Sequence, residues 1–482
     1  MPDIEHVFVL MLENRSFDHL LGKSGIPGLN GLSGNETSPY DGKNYGLTRA
    51  TLGPMDVDPG HEFPDVVEQL AGKDAKFPSG GPYPPINNSG YAESFMRTTG
   101  AKVNADPGIV MSAFEPQDLP VLNALAREFA VCDNWHSSLP GPTLPNRFFL
   151  LAGTSGGLDH SPSDAEMIEE LTIDGFPIRN GTIFSQPIKT RIYCGGILCM
   201  AQTLKGVSFL DVHRYSNFVH DVTSGSYDVK FTLIEPDYGD LIGNFKGGTS
   251  QHPMDGVTGG EKLIKEVYET IRKSPLWTKS ILFVMWDEHG GFYDHVVPPK
   301  ATPPGDAPVS PRANQFGFDF SLYGPRVPCV VISPFVPQGT VDHTLYDHTS
   351  VLATTEKIFG LQPLTERDKN ANNVLSLLSL ATPRNTQEHL PSPAEVQAHR
   401  AAEIDKSAAP HFGNVPAFLV AAARADLHLS PPEAHADILT RVRSLPTLWH
   451  AEEYFREVGQ KVLAARGGSG QQGSDHFASH VG

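Results

Sequence analysis

Ile4-Glu5-His6-Val7-Phe8-Val9-Leu10-Met11-Leu12-Glu13-Asn14-Arg15-Ser16-Phe17-Asp18-His19 opens the chain with a nearly unbroken apolar run that ends in a carboxylate and an amide. Continuous apolar character over residues 4–12 predicts a strand buried on both faces, as in a parallel sheet. Ligands of open α/β sheets lie beyond the carboxyl ends of the strands. Glu13 and Asn14 therefore stand at the edge where a site would form.

A second run, residues 280–286, has the same texture and ends in Asp287-Glu288-His289-Gly290-Gly291. A third apolar strand is expected over 327–333, with shorter ones over 188–194 and 230–234. Residues 24–60 are rich in Gly, Asn, Ser and Pro and read as loop. Residues 116–130 carry a helical apolar rhythm. Residues 261–273 are the clearest helix, with Leu263, Ile264, Val267 and Ile271 on one face. Glu261 with Lys265, and Glu269 with Lys273, are i,i+4 pairs in the favourable order. Residues 349–359 read as a helix with Gly360 at its carboxyl cap. Strands alternating with helices predict an α/β fold, a mainly parallel sheet with helices on both faces.

The texture changes near residue 385. Ser392-Pro393-Ala394-Glu395 and Ser430-Pro431-Pro432-Glu433 are capping-box signals with proline at the first helical position. Helices are expected over 393–404, 415–426, 431–444 and 447–466. The expected organisation is a catalytic domain over 1–385, an α-helical appendage over 386–466 and a disordered tail over 467–482.

Bulk composition narrows the function classes. A chain of 482 residues with 39% hydrophobic and 19% charged residues is an ordinary globular protein. A formal net charge of −18 argues against a nucleic-acid partner and against an anionic membrane, but not against a zwitterionic lipid or a small ester. The four cysteines, Cys132, Cys194, Cys199 and Cys329, lack zinc-finger spacing and are expected as buried or free thiols. No apolar run approaches the ~18 residues of a membrane span. The early apolar run is too short, and too acidic in its flank, for a secretory signal. If Met1 is native, a cytoplasmic location is expected. The sequence sets no oligomeric state.

Two strand ends carry oxygen-rich pairs, Glu13-Asn14 and Asp287-Glu288. Side by side in a parallel sheet, their three carboxylates repel one another unless protons or a cation neutralise them. A hard divalent ion with oxygen ligands is the economical solution. Thr143 lies in a Gly/Pro elbow, Gly141-Pro142-Thr143-Leu144-Pro145-Asn146-Arg147. From local sequence alone it reads as a capping residue; beside a metal, its hydroxyl could become a nucleophile. His61, His252, His295 and His348 sit in turn-like contexts suited to a phosphoryl oxygen or a leaving group, although each taken singly reads as structural. Arg326 fits a phosphate or an internal salt bridge equally well.

Together these motifs form an ordered set. Glu13-Asn14-Arg15-Ser16-Phe17-Asp18-His19, the Thr143 elbow, Gln251-His252-Pro253, the segment from Asp287 to Val296, Ser333-Pro334-Phe335 and Asp347-His348-Thr349-Ser350 follow one another along the chain. In this the chain resembles the phosphoesterase family of bacterial non-haemolytic phospholipases C and a related acid phosphatase, over roughly residues 3–370. The resemblance implies an alkaline-phosphatase-like three-layer α/β/α sandwich. It implies a metal-dependent hydrolase of phosphoric esters, most simply a phospholipase C-type phosphodiesterase releasing a phosphorylated head group, with a phosphomonoesterase or a non-catalytic binding protein as alternatives. Its substrate would be a phospholipid or a small phosphate ester. It implies one divalent metal ion (Ca, Mg, Mn or Zn) held by Glu13, Asn14, Thr143, Asp287 and Glu288. Thr143 would be the nucleophile, forming a phosphothreonine, and His61 and His252 would serve the phosphoryl group or the leaving group. Asn146, Arg147, His295 and His348 are secondary candidates for phosphate contacts. Family members are often exported, which implies a periplasmic or secreted location where a leader is removed. Gln251 stands where an acidic residue is common in the family. A choline head group would call for an aromatic cage, for which Trp135, Tyr238 and Tyr293 are the rings nearest the motifs.

Overall fold

The computed structural model describes residues 2–98, 100–162, 168, 171, 173–208, 211–242, 245–395, 405–410 and 413–466. One sheet is built from β1 (His6–Leu12), β2 (Ala130–Cys132), β3 (Thr190–Cys194), β4 (Val212–Arg214), β5 (Phe231–Glu235), β6 (Ser280–Trp286), β7 (Cys329–Ile332) and β8 (Thr340–Asp342). Their order is β8-β2-β7-β6-β1-β5-β3-β4. Only β7 runs against its neighbours; every other pairing in the sheet is parallel.

All residues of β1, β5, β6 and β7 are buried. Successive strand side chains point to opposite faces, so both faces of the sheet centre are covered. The covering helices are α2 (Pro120–Glu128), α3 (Thr143–Ala152), α4 (Thr258–Lys273) and α5 (Thr349–Phe359), whereas α1 (Phe63–Ala71) joins a separate hydrophobic cluster through Phe63 and Val67. Helix α4 packs on α2 and on β1, while α3 packs on α5. The result is a three-layer α/β/α sandwich.

Several local departures have physical reasons. The strand expected over 327–333 spans only Cys329–Ile332 and is the reversed one. The helix expected over 116–130 is α2, cut short because Ala130 begins strand β2. Short strands, Thr37–Tyr40, Lys43–Gly46 and Thr48–Arg49, interrupt the loop expected over 24–60. Lys265 pairs with Glu269 rather than Glu261. Glu261 is instead buried and accepts the N–H groups of Val121 (2.8 Å) and Leu122 (2.9 Å), capping α2. Gly360 takes the left-handed conformation that ends α5.

The C-terminal region contains α6 (Val415–Leu429), α7 (His435–Arg443) and α8 (Leu448–Ala465). The helix expected over 431–444 begins four residues late. The Ser430 hydroxyl turns back to Asp426 (3.1 Å) and caps nothing. The helix expected over 393–404 lies almost wholly outside the described residues, as does the tail over 467–482. Helix α6 packs on α7, on α8 and on the turn Met200–Thr203. One hydrophobic cluster runs without a break from β1 to these helices. Phe418 is fully buried and meets the Tyr238 ring at 5.1 Å. No described helix is long and apolar enough to cross a membrane. Substituting Phe418→Ala is expected to cost about 3–5 kcal/mol in chemical denaturation; a loss below about 1 kcal/mol would show that α6 does not dock on the sheet.

Candidate active site

Strands β1 and β6 pair so that Leu12 lies beside Trp286. The next residues, Glu13 and Asp287, therefore leave the sheet side by side. The Asn14 N–H donates to Asp287 Oδ1 (3.0 Å), and so does the Glu288 N–H (2.7 Å). Asn14 turns into the left-handed region, φ 56°, which brings its side chain back toward the elbow. The Thr143 hydroxyl, on the first residue of α3, donates to Asn14 Oδ1 (3.2 Å). Glu13, Asn14, Thr143, Asp287 and Glu288 are all completely buried. These hydrogen bonds gather Asn14, Thr143, Asp287 and Glu288, with Glu13 next to Asn14 in the chain, into one buried cradle.

Gly290 closes the cradle. A Cβ there would lie 2.0 Å from the Asn14 carbonyl oxygen, and its φ of 63° disfavours any other residue. The Gly290 N–H donates to Glu288 Oε2 (2.8 Å) and fixes that carboxylate.

The elbow owes its shape to Asn146. Its Nδ2 donates to the carbonyls of Gly141 (2.9 Å) and Pro142 (3.1 Å), and its Oδ1 accepts the Leu139 N–H (3.1 Å). Arg147 lies beneath the cradle, donating to Asp287 Oδ2 (2.9 Å) and the Leu12 carbonyl (3.1 Å), with Glu235 at 3.8 Å. His348 is buried against the Asp287 carbonyl (Nε2, 2.6 Å) and the Trp135 ring N–H. His295 sits with Asp18 (2.7 Å) in another network. The secondary phosphate candidates are thus engaged by protein groups. Arg326 resolves to internal ion pairs, with Asp294 (2.8 Å) and Asp18 (2.9 Å). Trp135 packs on Tyr346, Tyr238 on Phe418 and Tyr293 on Tyr91, so the three rings form no cage.

His61 and His252 do converge, with ring centroids 6.3 Å apart. His61 Nδ1 donates to the Pro59 carbonyl (2.9 Å), leaving Nε2 uncommitted among the described residues. His252 Nδ1 accepts the Met254 N–H (3.2 Å). Burial opposes charge on His61, but the carboxylates of Glu288, Asp58 and Glu62 outweigh it and push its pKa up to about 10. Burial, with His61 and Arg15 nearby, holds His252 well below the usual imidazole range.

Two residues entered the site unforeseen. Asp58 lies between the two histidines. Asn414, just before α6, donates to Glu13 Oε1 (2.9 Å). The Asn-Val-Pro helix start was readable, but its 401-residue reach to Glu13 was not.

The donor set fits a cation. Glu13 Oε2 and Glu288 Oε1 are buried and have no hydrogen-bond partner among the described residues. Burial pushes Glu13 up to about 8 and Asp287 up to about 6, with Arg147 opposing in each case. Bare carboxylates are costly here, and a hard divalent ion would relieve that cost. Among the described residues one acidic group, Asp18, Asp294 and His295, has its ligand atoms within 4.8 Å of one another, which Glu13, Asp287 and Glu288 do not. The Arg326 guanidinium already supplies its positive charge.

The family model for the Phosphoesterase family matches residues 4–188 and 200–362. The chain belongs to the phosphoesterase family. This phosphoesterase is 33% identical to the non-specific phospholipase C6 of Arabidopsis thaliana, across 98% of this chain and 90% of that protein. It is 28% identical to phospholipase C B of Mycobacterium tuberculosis (strain ATCC 25618 / H37Rv), across 80% and 79%. Among solved structures, a protein in the alkaline phosphatase superfamily from Vibrio parahaemolyticus overlaps 54% of this chain and 65% of that one, at 14% identity and a TM-score of 0.32. The present chain is a hydrolase acting on phosphoester bonds.

Gly290→Ala is expected to displace Asn14 and abolish phosphoester hydrolysis in a protein that still folds, as read by circular dichroism and turnover together; full turnover would contradict this packing. With chelator present, Glu13 binds its proton more tightly folded than unfolded. Its contribution to stability is therefore present below its ordinary value of 4.5 and is lost as pH rises toward about 8. The melting temperature of the metal-free protein should fall across that window, and Glu13→Gln should flatten the fall. An unchanged slope in Glu13→Gln would remove this assignment.

Proposed function

We propose that this phosphoesterase is a metal-dependent phosphodiesterase of phospholipase C type, releasing a phosphorylated head group through a phosphothreonine. The observation that carries the reading is the buried Thr143 hydroxyl, hydrogen-bonded to Asn14, in a site where Glu13 and Glu288 each keep a buried oxygen with no hydrogen-bond partner among the described residues. Glu13, Asn14, Thr143, Asp287 and Glu288 would hold one divalent cation, which when bound neutralises the carboxylates and eases ionisation of the Thr143 hydroxyl. The all-oxygen donor set favours Ca, Mg or Mn over Zn.

This chain's own residues would act as follows. Asn146 and the Pro-rich elbow hold Thr143 at the tip of α3, so its oxygen meets phosphorus in line. The oxygen–phosphorus bond forms, the bond to the leaving oxygen breaks, and the hydroxyl proton passes to water. The free Nε2 of His61 protonates the departing oxygen. Water then hydrolyses the phosphothreonine.

Charge favours a diester over a monoester. The nearest guanidiniums are spoken for: Arg147 by Asp287, and Arg15 by the carbonyls of Gln251 (2.8 Å) and His252 (3.3 Å). A singly charged diester needs less added positive charge than a dianion. The named phospholipase C relatives support the same class.

A chromogenic phosphocholine diester should turn over faster than the matching monoester, and chelator should stop both. Thr143→Ala should lower turnover by about 10⁴-fold or more, the scale set by removing a nucleophile. Faster monoester turnover would favour a phosphomonoesterase, and full activity in Thr143→Ala would remove the nucleophile.

A further inference from the structure

The residue before His252 offers it no carboxylate. Gln251 turns its amide away, donating to the Val257 carbonyl (2.9 Å) and accepting from the Trp286 ring N–H (3.1 Å). A carboxylate reaches the two histidines from a different loop. Asp58 Oδ2 lies 3.7 Å from His252 Nε2, and Oδ1 lies 4.0 Å from His61 Nδ1. Its Oδ1 is sealed from solvent and has no hydrogen-bond partner among the described residues.

We propose that Asp58 is a positioning residue that holds the rings of His61 and His252 as one unit, so that the free Nε2–H of His61 faces the leaving oxygen of the substrate. The inference rests on the phosphodiester reading above and assigns a group that the motifs do not contain. Every other atom of the pair is committed. The Met254 N–H on His252 Nδ1 puts the ring proton on Nε2, toward Asp58. Phe245 stacks on His252 at 3.6 Å between centroids and resists rotation of that ring. The Pro59 carbonyl holds His61 Nδ1. The loop carrying Asp58 is itself pinned, since a Cβ on Gly291 would come within 2.7 Å of Pro59 Cβ. In the step that uses this arrangement, the His61 proton passes to the leaving oxygen as its bond to phosphorus breaks.

The test compares two phosphocholine diesters with one protein. With a p-nitrophenyl leaving group, the departing oxygen needs no proton; with diacylglycerol, it does. Asp58→Asn should lower kcat on the diacylglycerol substrate by about ten- to a hundredfold, a part of what a general acid contributes. It should change kcat on the p-nitrophenyl substrate less than threefold (about), with KM little changed on both. Asp58→Glu should restore part of the loss. Equal losses on both substrates, or no loss on either, would overturn the proposal while wild-type turnover leaves the phosphodiester reading standing. A wild type that turns over neither diester would overturn both. Matching unfolding midpoints for the wild type and Asp58→Asn separate these outcomes from misfolding.

Discussion

The Asn14 N–H bonded to Asp287 Oδ1 is the contact on which the rest of the site depends. It exists because β1 and β6 are parallel neighbours in a register that ends both strands together. A shift of one residue would turn each side chain to the other face and scatter the carboxylates. The core enforces the register, since both strands are buried throughout. Apolar packing thus spends part of its stabilisation on gathering three carboxylates that repel one another. Arg147, shared with Glu235, offsets some of that repulsion from below, and a bound dication would offset more.

The same economy explains the glycines and the elbow. Gly290 lets Asn14 approach, and Gly291 lets the His61 loop approach, so two adjacent residues without side chains join separate parts of the site. Asn146 gives its whole amide to shaping the turn that presents Thr143. The C-terminal helices complete the cradle by delivering Asn414 to Glu13, which leaves the other Glu13 oxygen without a partner among the described residues.

Much of this was legible in the chain. The strands β1 and β6 are long apolar runs, and both oxygen-rich pairs sit immediately after them. Helix α4 announced itself by its apolar face. What escaped was set by tertiary contact. The reversal of β7 leaves no trace in a strand apolar on both faces. Glu261 looked like half of a surface pair and proved to be a buried cap. Asp58 carries no local signal and Asn414 only that of a helix start, because their partners lie 194 and 401 residues away (His252 minus Asp58; Glu13 to Asn414). Asn146 and Arg147 enter as phosphate candidates through the family resemblance; here Asn146 shapes the elbow and Arg147 pairs with Asp287.

The central claim is that two strand ends and the Thr143 elbow make one cation site. Anomalous diffraction from crystals grown with Mn²⁺ tests it most directly. One strong peak is expected among Glu13, Asn14, Thr143, Asp287 and Glu288. A peak at Asp18, Asp294 and His295 instead, or an empty cradle at saturating metal, would contradict the account.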